Sequence, residues 1–278
     1  MNVSYRQLLV HLDSGERAAG RLALARRMAG ALGADVAALY AVTPTLVALP
    51  AAPMIGPDLS AGMMEFDQSR RQRTRAMFDR VMEDSGPQVV WRELPDPPVI
   101  GGFSQQALYA DLLVLGQHEP SSPQALDVPA DFAESVMLAS GKPALVVPYV
   151  GSSPSVGECV VIAWKETREA ARALAASLPL LQRAREVHVL TWDASEPPAG
   201  AMLDLAGYLK LHEVAPVLHP QGKEPDFLGE LLLSGAFDLG ADLLVMGCYG
   251  HGRAREWVLG GTTRTVLRSM TLPVLMAH

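Results

Sequence analysis

A cluster of glycines and threonines near the end of the chain is the segment best suited to bind a ligand. The predicted site contains a strand-end methionine, four glycines and two threonines: Met246, Gly247, Gly250, Gly260, Gly261, Thr262 and Thr263. Glycine lets the backbone approach a ligand closely. The segment after Gly261 has helical character, so unpaired N–H groups and the positive end of a helix dipole would face one place. The pattern therefore predicts a site for a phosphate-bearing ligand.

Two arginines in the same segment extend this hypothesis. Arg253 and Arg255 lie between the glycines and could contact phosphate groups with their guanidinium forks. A solvated basic loop is an equally good interpretation of the same two residues.

The spacing of three of these glycines carries a family resemblance. Gly247, Gly250 and Gly260 are separated by two and nine residues, which resembles the ATP loop of the universal stress protein family. The family pattern continues with Ser or Thr where this chain has Gly261, so one expected hydroxyl is missing. Thr263 matches a second hydroxyl position of the family. The resemblance implies ATP or a related adenine nucleotide as ligand, with Mg²⁺ as an accompanying ion, and a role in the stress response.

A repeat in the sequence shows which elements must position this site. Ala241 to Gly247, a predicted buried strand, nearly copies Ala110 to Gly116, which lies 131 positions earlier. The first strands of the two halves align if Asp13 matches Lys165. This second offset, from position 13 to position 165, is larger than 131. The excess is close to the length of a Pro- and Met-rich stretch at 43–64 in the first half. One insertion in an otherwise constant register predicts an internal duplication.

The order of predicted elements favours an α/β fold. Strands alternate with helices in both halves, which predicts two doubly wound, Rossmann-like domains with parallel sheets, over residues 1–150 and 151–278. Ligands bind such sheets outside the carboxyl ends of the strands. The stretch at 43–64 is interpreted as a loop or lid before a helix over 65–85. The resemblance covers almost the whole chain, as a tandem of two universal stress protein domains.

The last strand of each half is expected to pair with the other. Residues 144–149 and 273–276 would otherwise leave apolar edges that invite aggregation. This pairing would make an internal pseudo-dimer of the two halves, and a homodimer of whole chains also remains open.

The two halves differ in their ability to bind nucleotide. The first half keeps Asp13, where ATP-binding relatives place an acid near the adenine and ribose, but has Glu119 in place of a loop glycine. The second half keeps the glycines but has Trp164 and Lys165 where the acid is expected. Trp164 could stack on a purine and Lys165 could reach a phosphate. The favoured interpretation is a packed tryptophan and a solvated lysine. At most one nucleotide per chain is expected.

Composition excludes several other classes of function. The chain has 278 residues and a net charge of −7, so nucleic acid is not an expected partner. The basic run from Arg70 to Arg75 is interpreted as a salt-bridged helix face, and His11 as a hydrogen-bonded core histidine. Cys159 and Cys248 fit neither a disulfide framework nor a metal-binding pair. No long apolar segment and no signal peptide are visible, so a cytoplasmic protein without a membrane partner is expected.

The leading hypothesis is a universal stress protein that binds ATP or a related adenine nucleotide in its second half. Its regulatory or protective output would pass through an unidentified protein partner. No general base and no catalytic motif can be named, so an enzyme is not expected, beyond a slow ATPase at most. The alternative is a nucleotide-free interaction or scaffold protein of the same fold, which Gly261 and Lys165 favour.

Overall fold

The computed structural model describes residues 4–48, 56–95, 98–151, 154–192, 203–249 and 261–278. Two compact units, Tyr5–Lys142 and Pro143–His278, make up most of the chain. None of the helices in these described ranges combines the length and the apolar character that a membrane crossing requires.

The first unit is a parallel sheet with its helices in the connections. Its elements are β1 (Gln7–Leu12), α1 (Ala18–Leu32), β2 (Asp35–Tyr40), α2 (Thr45–Ala48), α3 (Pro57–Glu83), β3 (Val89–Glu93), α4 (Val99–Ala107), β4 (Leu112–Gly116) and α5 (Phe132–Ser140). The strands run in the order β3-β2-β1-β4, all parallel. The order therefore reverses between β1 and β4, where a doubly wound sheet opens a crevice.

The second unit repeats this arrangement. Its elements are β5 (Ala144–Val147), β6 (Cys159–Trp164), α6 (Arg168–Leu181), β7 (Glu186–Thr191), α7 (Leu205–Leu211), β8 (Pro216–Pro220), α8 (Leu228–Asp238), β9 (Leu243–Gly247), α9 (Thr262–Ser269) and β10 (Val274–Ala277). The strand order is β5-β10-β9-β6-β7-β8. Here the order reverses between β6 and β9, so the doubly wound α/β prediction is confirmed.

The central strands are buried because their sequences are continuous apolar runs. Leu8 and Val10 of β1 and Leu113 of β4 are fully buried, as are Leu244 and Leu275 in the second unit. Because helices cover both faces of a parallel sheet, residues of both alternating sets must be apolar. These rigid strands hold the loops at their carboxyl ends in place.

β5 pairs with the last strand of the second half. The antiparallel register places Leu145 opposite Leu275. The predicted pairing of the two last strands is therefore observed. It also places residues 143–150 in the second compact unit, whereas the repeat in the sequence divides the chain after residue 150.

The prediction of a loop or lid over residues 43–64 is wrong for the residues of this stretch that the structure describes. α2 occupies Thr45–Ala48, and α3 begins at Pro57 instead of near residue 65. Pro57 is the first helical residue, where its missing N–H costs nothing and its fixed backbone angle suits a helix. The proline suggested a loop because the same residue breaks a helix at any later position. Residues 49–55 lie outside the described part of the chain.

Candidate functional site

In the first unit, ionic side chains of the protein itself occupy the crevice between β1 and β4. Asp13 follows β1 directly, and its Oδ2 lies 2.6 Å from Nη2 of the buried Arg21. Its other oxygen accepts a hydrogen bond of 2.9 Å from the Gly15 N–H. A Cβ atom at Gly116, the last residue of β4, would collide with the Arg21 side chain. Asp13 is therefore held by the protein, in the place where the resemblance assigns it to a ligand.

The pKa of the Asp13 carboxyl group agrees with this geometry. Burial acts to raise the pKa of the carboxyl, but the Arg21 charge, His11 and two hydrogen bonds outweigh it, so the pKa is lowered. The pair thus stays ionised near neutral pH, with the Asp13 charge already offset by Arg21.

A second buried ion pair lies beside the first. Asp127 Oδ1 is 2.9 Å from Arg70 Nη1, and both side chains are only 6% exposed. The other oxygen of Asp127 accepts two hydrogen bonds of 2.7 Å from the N–H and hydroxyl of Ser14. Arg70 also contacts Asp67 at 3.0 Å. Asp127 was not predicted from the sequence, because it lies in an irregular loop after β4 with no periodic pattern to indicate burial.

Two further arginines of the basic run of α3 are salt-bridged, as predicted. Arg71 contacts Glu93 at 2.6 Å, and Arg75 contacts Asp79 at 3.0 Å. These arginines are therefore neutralised by acids of the same unit.

His11 is a hydrogen-bonded core residue, as expected. Its Nε2 lies 2.8 Å from the carbonyl oxygen of Ala41, and its ring packs between Phe103 and Phe132. Burial lowers the pKa of His11 to about 4, against the opposing charge of Asp13. The imidazole is therefore neutral in the folded protein at neutral pH.

This shift predicts acid sensitivity of the first unit. Because the folded pKa of His11 lies below the unfolded value of about 6.5, the unfolded state binds the proton first as pH falls. Stability is full above pH 6.5 and declines towards pH 4, by up to about 3 kcal/mol from this one group. We expect His11→Gln to flatten that part of the profile. Urea midpoints of both proteins between pH 7.5 and 4.5 measure the effect, and parallel profiles would contradict it.

The second unit has an open cleft at the corresponding place. It has a volume of about 140 Å³, several times what one water molecule requires. Its walls come from the carboxyl ends of β6, β7 and β9, the starts of α6, α8 and α9, and the loops beside them: Ala163, Trp164, Lys165, Thr167, Glu169, Ala170, Trp192, Glu224, Leu228, Leu232, Met246, Gly247, Tyr249, Thr262 and Thr263.

Gly247 brings β9 into direct contact with the start of α6. A Cβ atom there would lie 2.6 Å from the Ala170 nitrogen and 2.7 Å from the Glu169 carbonyl carbon. Both are backbone atoms, so no side-chain rotation could relieve the clash. Thr167 caps α6 by accepting a hydrogen bond from the Ala170 N–H at 3.2 Å. Gly247, the first glycine of the predicted loop, thus allows α6 to pack closely against β9 at the floor of the cleft.

The start of α9 is the part of the cleft best suited to an anion. Gly261 precedes the helix, and no side chain of the described residues caps this end. Thr262 is half-buried and lines the cleft, whereas Thr263 is buried, with its hydroxyl 3.4 Å from the Tyr249 nitrogen. Tyr249 has a positive φ of 58°, which is costly for a residue with a side chain. The chain thus turns sharply after β9 beside the helix start.

The predicted site residues fall into two groups. The structure brings Met246, Gly247, Thr262 and Thr263 together around the cleft, with Gly261 immediately before α9. The remaining predicted residues lie outside the described part of the chain: Gly250, Arg253, Arg255 and Gly260.

At the β6 side lie the two residues that stand where the family's acid is expected. Trp164 and Lys165 both line the cleft, and the Lys165 ammonium lies 2.5 Å from a carboxylate oxygen of Glu224. The lysine is half-exposed, as the favoured interpretation of a solvated side chain had it, and it is also ion-paired. Glu224 was missed because it lies far along the sequence, after β8, and only the parallel sheet brings the two residues together.

Glu169 is a second acidic residue that the sequence patterns did not indicate. It is buried in the first turn of α6, where a negative charge interacts favourably with the helix dipole. Burial acts to raise its pKa, but hydrogen bonds and the Arg168 charge outweigh it and the pKa is lowered. The described walls therefore carry two carboxylates and one lysine. Trp192, just after β7, and Tyr249, after β9, add aromatic side chains to that of Trp164.

Comparisons with known proteins agree with this description. Residues 228–278 match the model of the universal stress protein family. A universal stress protein of Synechocystis sp. is 53% identical over 38 residues, which is 14% of this chain and 13% of that protein. The match therefore spans only a small part of the relative's own length.

Two solved structures resemble the chain over nearly its whole length. A universal stress protein from Archaeoglobus fulgidus has a TM-score of 0.70 at 13% identity, covering 98% of this chain and 95% of its own. A protein from Pseudomonas aeruginosa has a TM-score of 0.55 at 18% identity, covering 98% and 92%. At these identities the likeness concerns the fold, and it extends through both halves.

Proposed function

We propose that this chain, a universal stress protein by the family match of residues 228–278 and by its fold, binds one adenine nucleotide in the cleft of its second unit. The observation that carries the proposal is the start of α9, which no described side chain caps and which faces a cleft where the strand order reverses. Doubly wound sheets bind ligands at this point, and helix starts bind phosphate.

The phosphate groups are assigned to the α9 end of the cleft. The N–H groups of the first helical turn and the hydroxyl of Thr262 are donors there, and the helix dipole favours negative charge. The carboxylates of Glu169 and Glu224 lie on walls built from other elements. Because like charges repel, phosphates are expected to lie away from these two acids. Mg²⁺ would offset phosphate charge if it accompanies the nucleotide.

The base and ribose are assigned to the β6 end. Trp164 and Trp192 offer aromatic surface for a purine, and Leu228 offers an apolar contact. Glu224 brings a carboxylate next to Lys165, and carboxylates accept hydrogen bonds from ribose hydroxyls. The acid that is missing from the sequence beside Trp164 is thereby supplied from another element.

The output of binding is proposed to be regulatory or protective, through a protein partner, in the cytoplasm. No catalytic motif in the sequence names a general base, so turnover is not part of the proposal. The alternative, a nucleotide-free interaction protein of the same fold, is favoured by the two acids in the cleft and by Gly261 in place of a hydroxyl.

Calorimetry with ATP distinguishes these functions. We expect one site per chain, because Arg21 and Asp13 fill the corresponding crevice of the first unit. Replacing Thr262 by Glu places a carboxylate at the start of α9 and should weaken ATP binding about 10- to 100-fold. The matched control, Thr262→Gln, has the same shape without the charge and should retain most of the affinity.

The charged variant is not expected to unfold. An acidic residue in the first turn stabilises a helix, so Thr262→Glu should be at least as stable as the control. Two equivalent sites per chain would contradict the proposed asymmetry. Equal ATP affinity in the Glu and Gln variants would show that phosphate does not bind at α9, and absence of any binding would favour the nucleotide-free alternative.

A further inference from the structure

Three side chains with metal-ligating atoms converge at the amino ends of β6 and β7, at the opposite end of these strands from the cleft. Cys159 begins β6, Glu186 begins β7, and the two are register partners in the parallel pair. His188 follows Glu186 by two residues, so all three side chains project from the same face of the sheet. The sulfur, a carboxylate oxygen and an imidazole nitrogen all lie within 4.8 Å of one another.

The distances suit a tetrahedral cation. Zn²⁺ binds thiolate at about 2.3 Å and imidazole or carboxylate at about 2.0–2.2 Å, so its ligand atoms lie roughly 3.5 Å apart. His188 Nε2 and Glu186 Oε2 are already 3.6 Å apart. The other pairs of ligand atoms lie within 4.8 Å of one another. Glu186, whose side chain is 46% exposed and also contacts Arg185 at 3.3 Å, has room to rotate. Cys159 and His188 are held more firmly, because both are buried.

A fourth residue orients the imidazole. His188 Nδ1 lies 3.0 Å from Nε2 of His219 on the neighbouring strand β8. In the tautomer in which Nδ1 donates this hydrogen bond, the lone pair of His188 Nε2, the nitrogen near Glu186, is available to a metal ion. Metal-binding histidines usually have such a partner on the second ring nitrogen, where it fixes the tautomer and ring orientation. The His188–His219 hydrogen bond is a separate observation from the closeness of the three side chains, and it also supports metal binding by His188.

The surroundings are compatible with a bound cation. The Cys159 thiol donates a hydrogen bond to the Leu239 carbonyl at 3.4 Å, and coordination would release this proton to solvent. Asp242 lies nearby but accepts hydrogen bonds from the N–H groups of Gly157 and Cys159. It therefore fixes the strand end and adds negative potential without needing to be a ligand.

We propose that Cys159, Glu186 and His188 form a binding site for a divalent cation of the Zn²⁺ class, with His219 orienting His188 and a water completing the coordination. A mixed thiolate, imidazole and carboxylate set selects borderline-soft cations over Mg²⁺ or Ca²⁺, which prefer oxygen ligands. The nucleotide cleft uses the other ends of these strands, so this site does not depend on the proposed nucleotide function.

The test uses the full chain, freed of metal with a chelator and titrated with Co²⁺, which reports thiolate ligation by a charge-transfer absorption band. We expect the band to saturate at one equivalent of Co²⁺ per chain, and added Zn²⁺ should displace the bound Co²⁺. The chain has two cysteines, Cys159 and Cys248, and both are buried. Cys159→Ser should abolish the band, and the matched control Cys248→Ser should keep it.

Two further variants separate ligation from folding. Glu186→Gln changes a half-exposed residue and should weaken Co²⁺ binding at least about tenfold without loss of helix signal in circular dichroism. His219→Phe should weaken binding about 10- to 100-fold, the usual cost of losing an orienting partner. No band in the wild-type chain, a band that survives Cys159→Ser, or unchanged affinity in both further variants would overturn the proposal.

Discussion

Replacing Arg70 by Met is expected to destabilise the first unit by about 3–5 kcal/mol, because it leaves a buried carboxylate without its cation. Arg70 and Asp127 are each 6% exposed and form a contact of 2.9 Å. Arg70 also donates to the carbonyl oxygen of Thr43, so the variant removes several charge-assisted bonds together. Urea unfolding at pH 7 measures the loss by tryptophan fluorescence, to which Trp91 contributes from the same unit.

Arg75→Met is the matched control. Arg75 lies on the same helix and pairs with Asp79 one turn later, but both side chains are about half-exposed. Exposed pairs of this kind contribute about 0.3–0.5 kcal/mol. Its guanidinium also lies 5.2 Å from the ring centres of Phe78 and Trp91, which adds about 0.5–1 kcal/mol. A difference between the two variants of less than about 1 kcal/mol would contradict the structural role assigned to Arg70.

Replacing Gly247 by Ala is expected to destabilise the second unit by about 1–3 kcal/mol and to weaken nucleotide binding at the same time. The added Cβ would lie 2.6 Å from the Ala170 nitrogen, so β9 and the start of α6 must move apart. Both elements form walls of the cleft. Thermal unfolding and ATP calorimetry on the same preparation measure the two effects.

Gly222→Ala provides the comparison. This glycine lies in the same unit, just after β8, and an added Cβ would meet no atom within 4 Å. Its stability should change by less than about 0.5 kcal/mol. If the two alanine variants were equally stable, the close approach at Gly247 would not constrain the site.

Much of the fold could be predicted because local patterns and the repeat support each other. The strand ending at Gly247 was identified from an apolar run and from its near copy ending at Gly116. The pairing of the two last strands followed from the need to cover apolar edges. The start of α3 was missed, because Pro57 belongs to a residue type that breaks a helix interior but is favoured as a first helical residue.

The candidate site also contains residues that the sequence indicated and residues that it did not. Met246, Gly247, Thr262 and Thr263 could be identified from the sequence, because close approach and helix starts depend on residue types at short spacing. Glu224 could not, because its role beside Lys165 depends on β8 and β6 ending at the same edge of the sheet. The remaining site residues were assigned from the sequence, and their proposed roles stay predictions: Gly250, Arg253, Arg255 and Gly260.

The sequence by itself determined the alternation of strands and helices and the glycine-rich segment, because both depend on residues that are neighbours in the chain. It indicated the duplication through the comparison of its two halves. Only the tertiary structure decided where the charges lie. Arg21 fills the crevice of the first unit, Asp127 pairs with Arg70, and Cys159 meets His188. Each of these contacts joins residues from different elements. Whether the last two of these pairs meet depends on the order of the elements in the sheet, which short-range patterns do not encode.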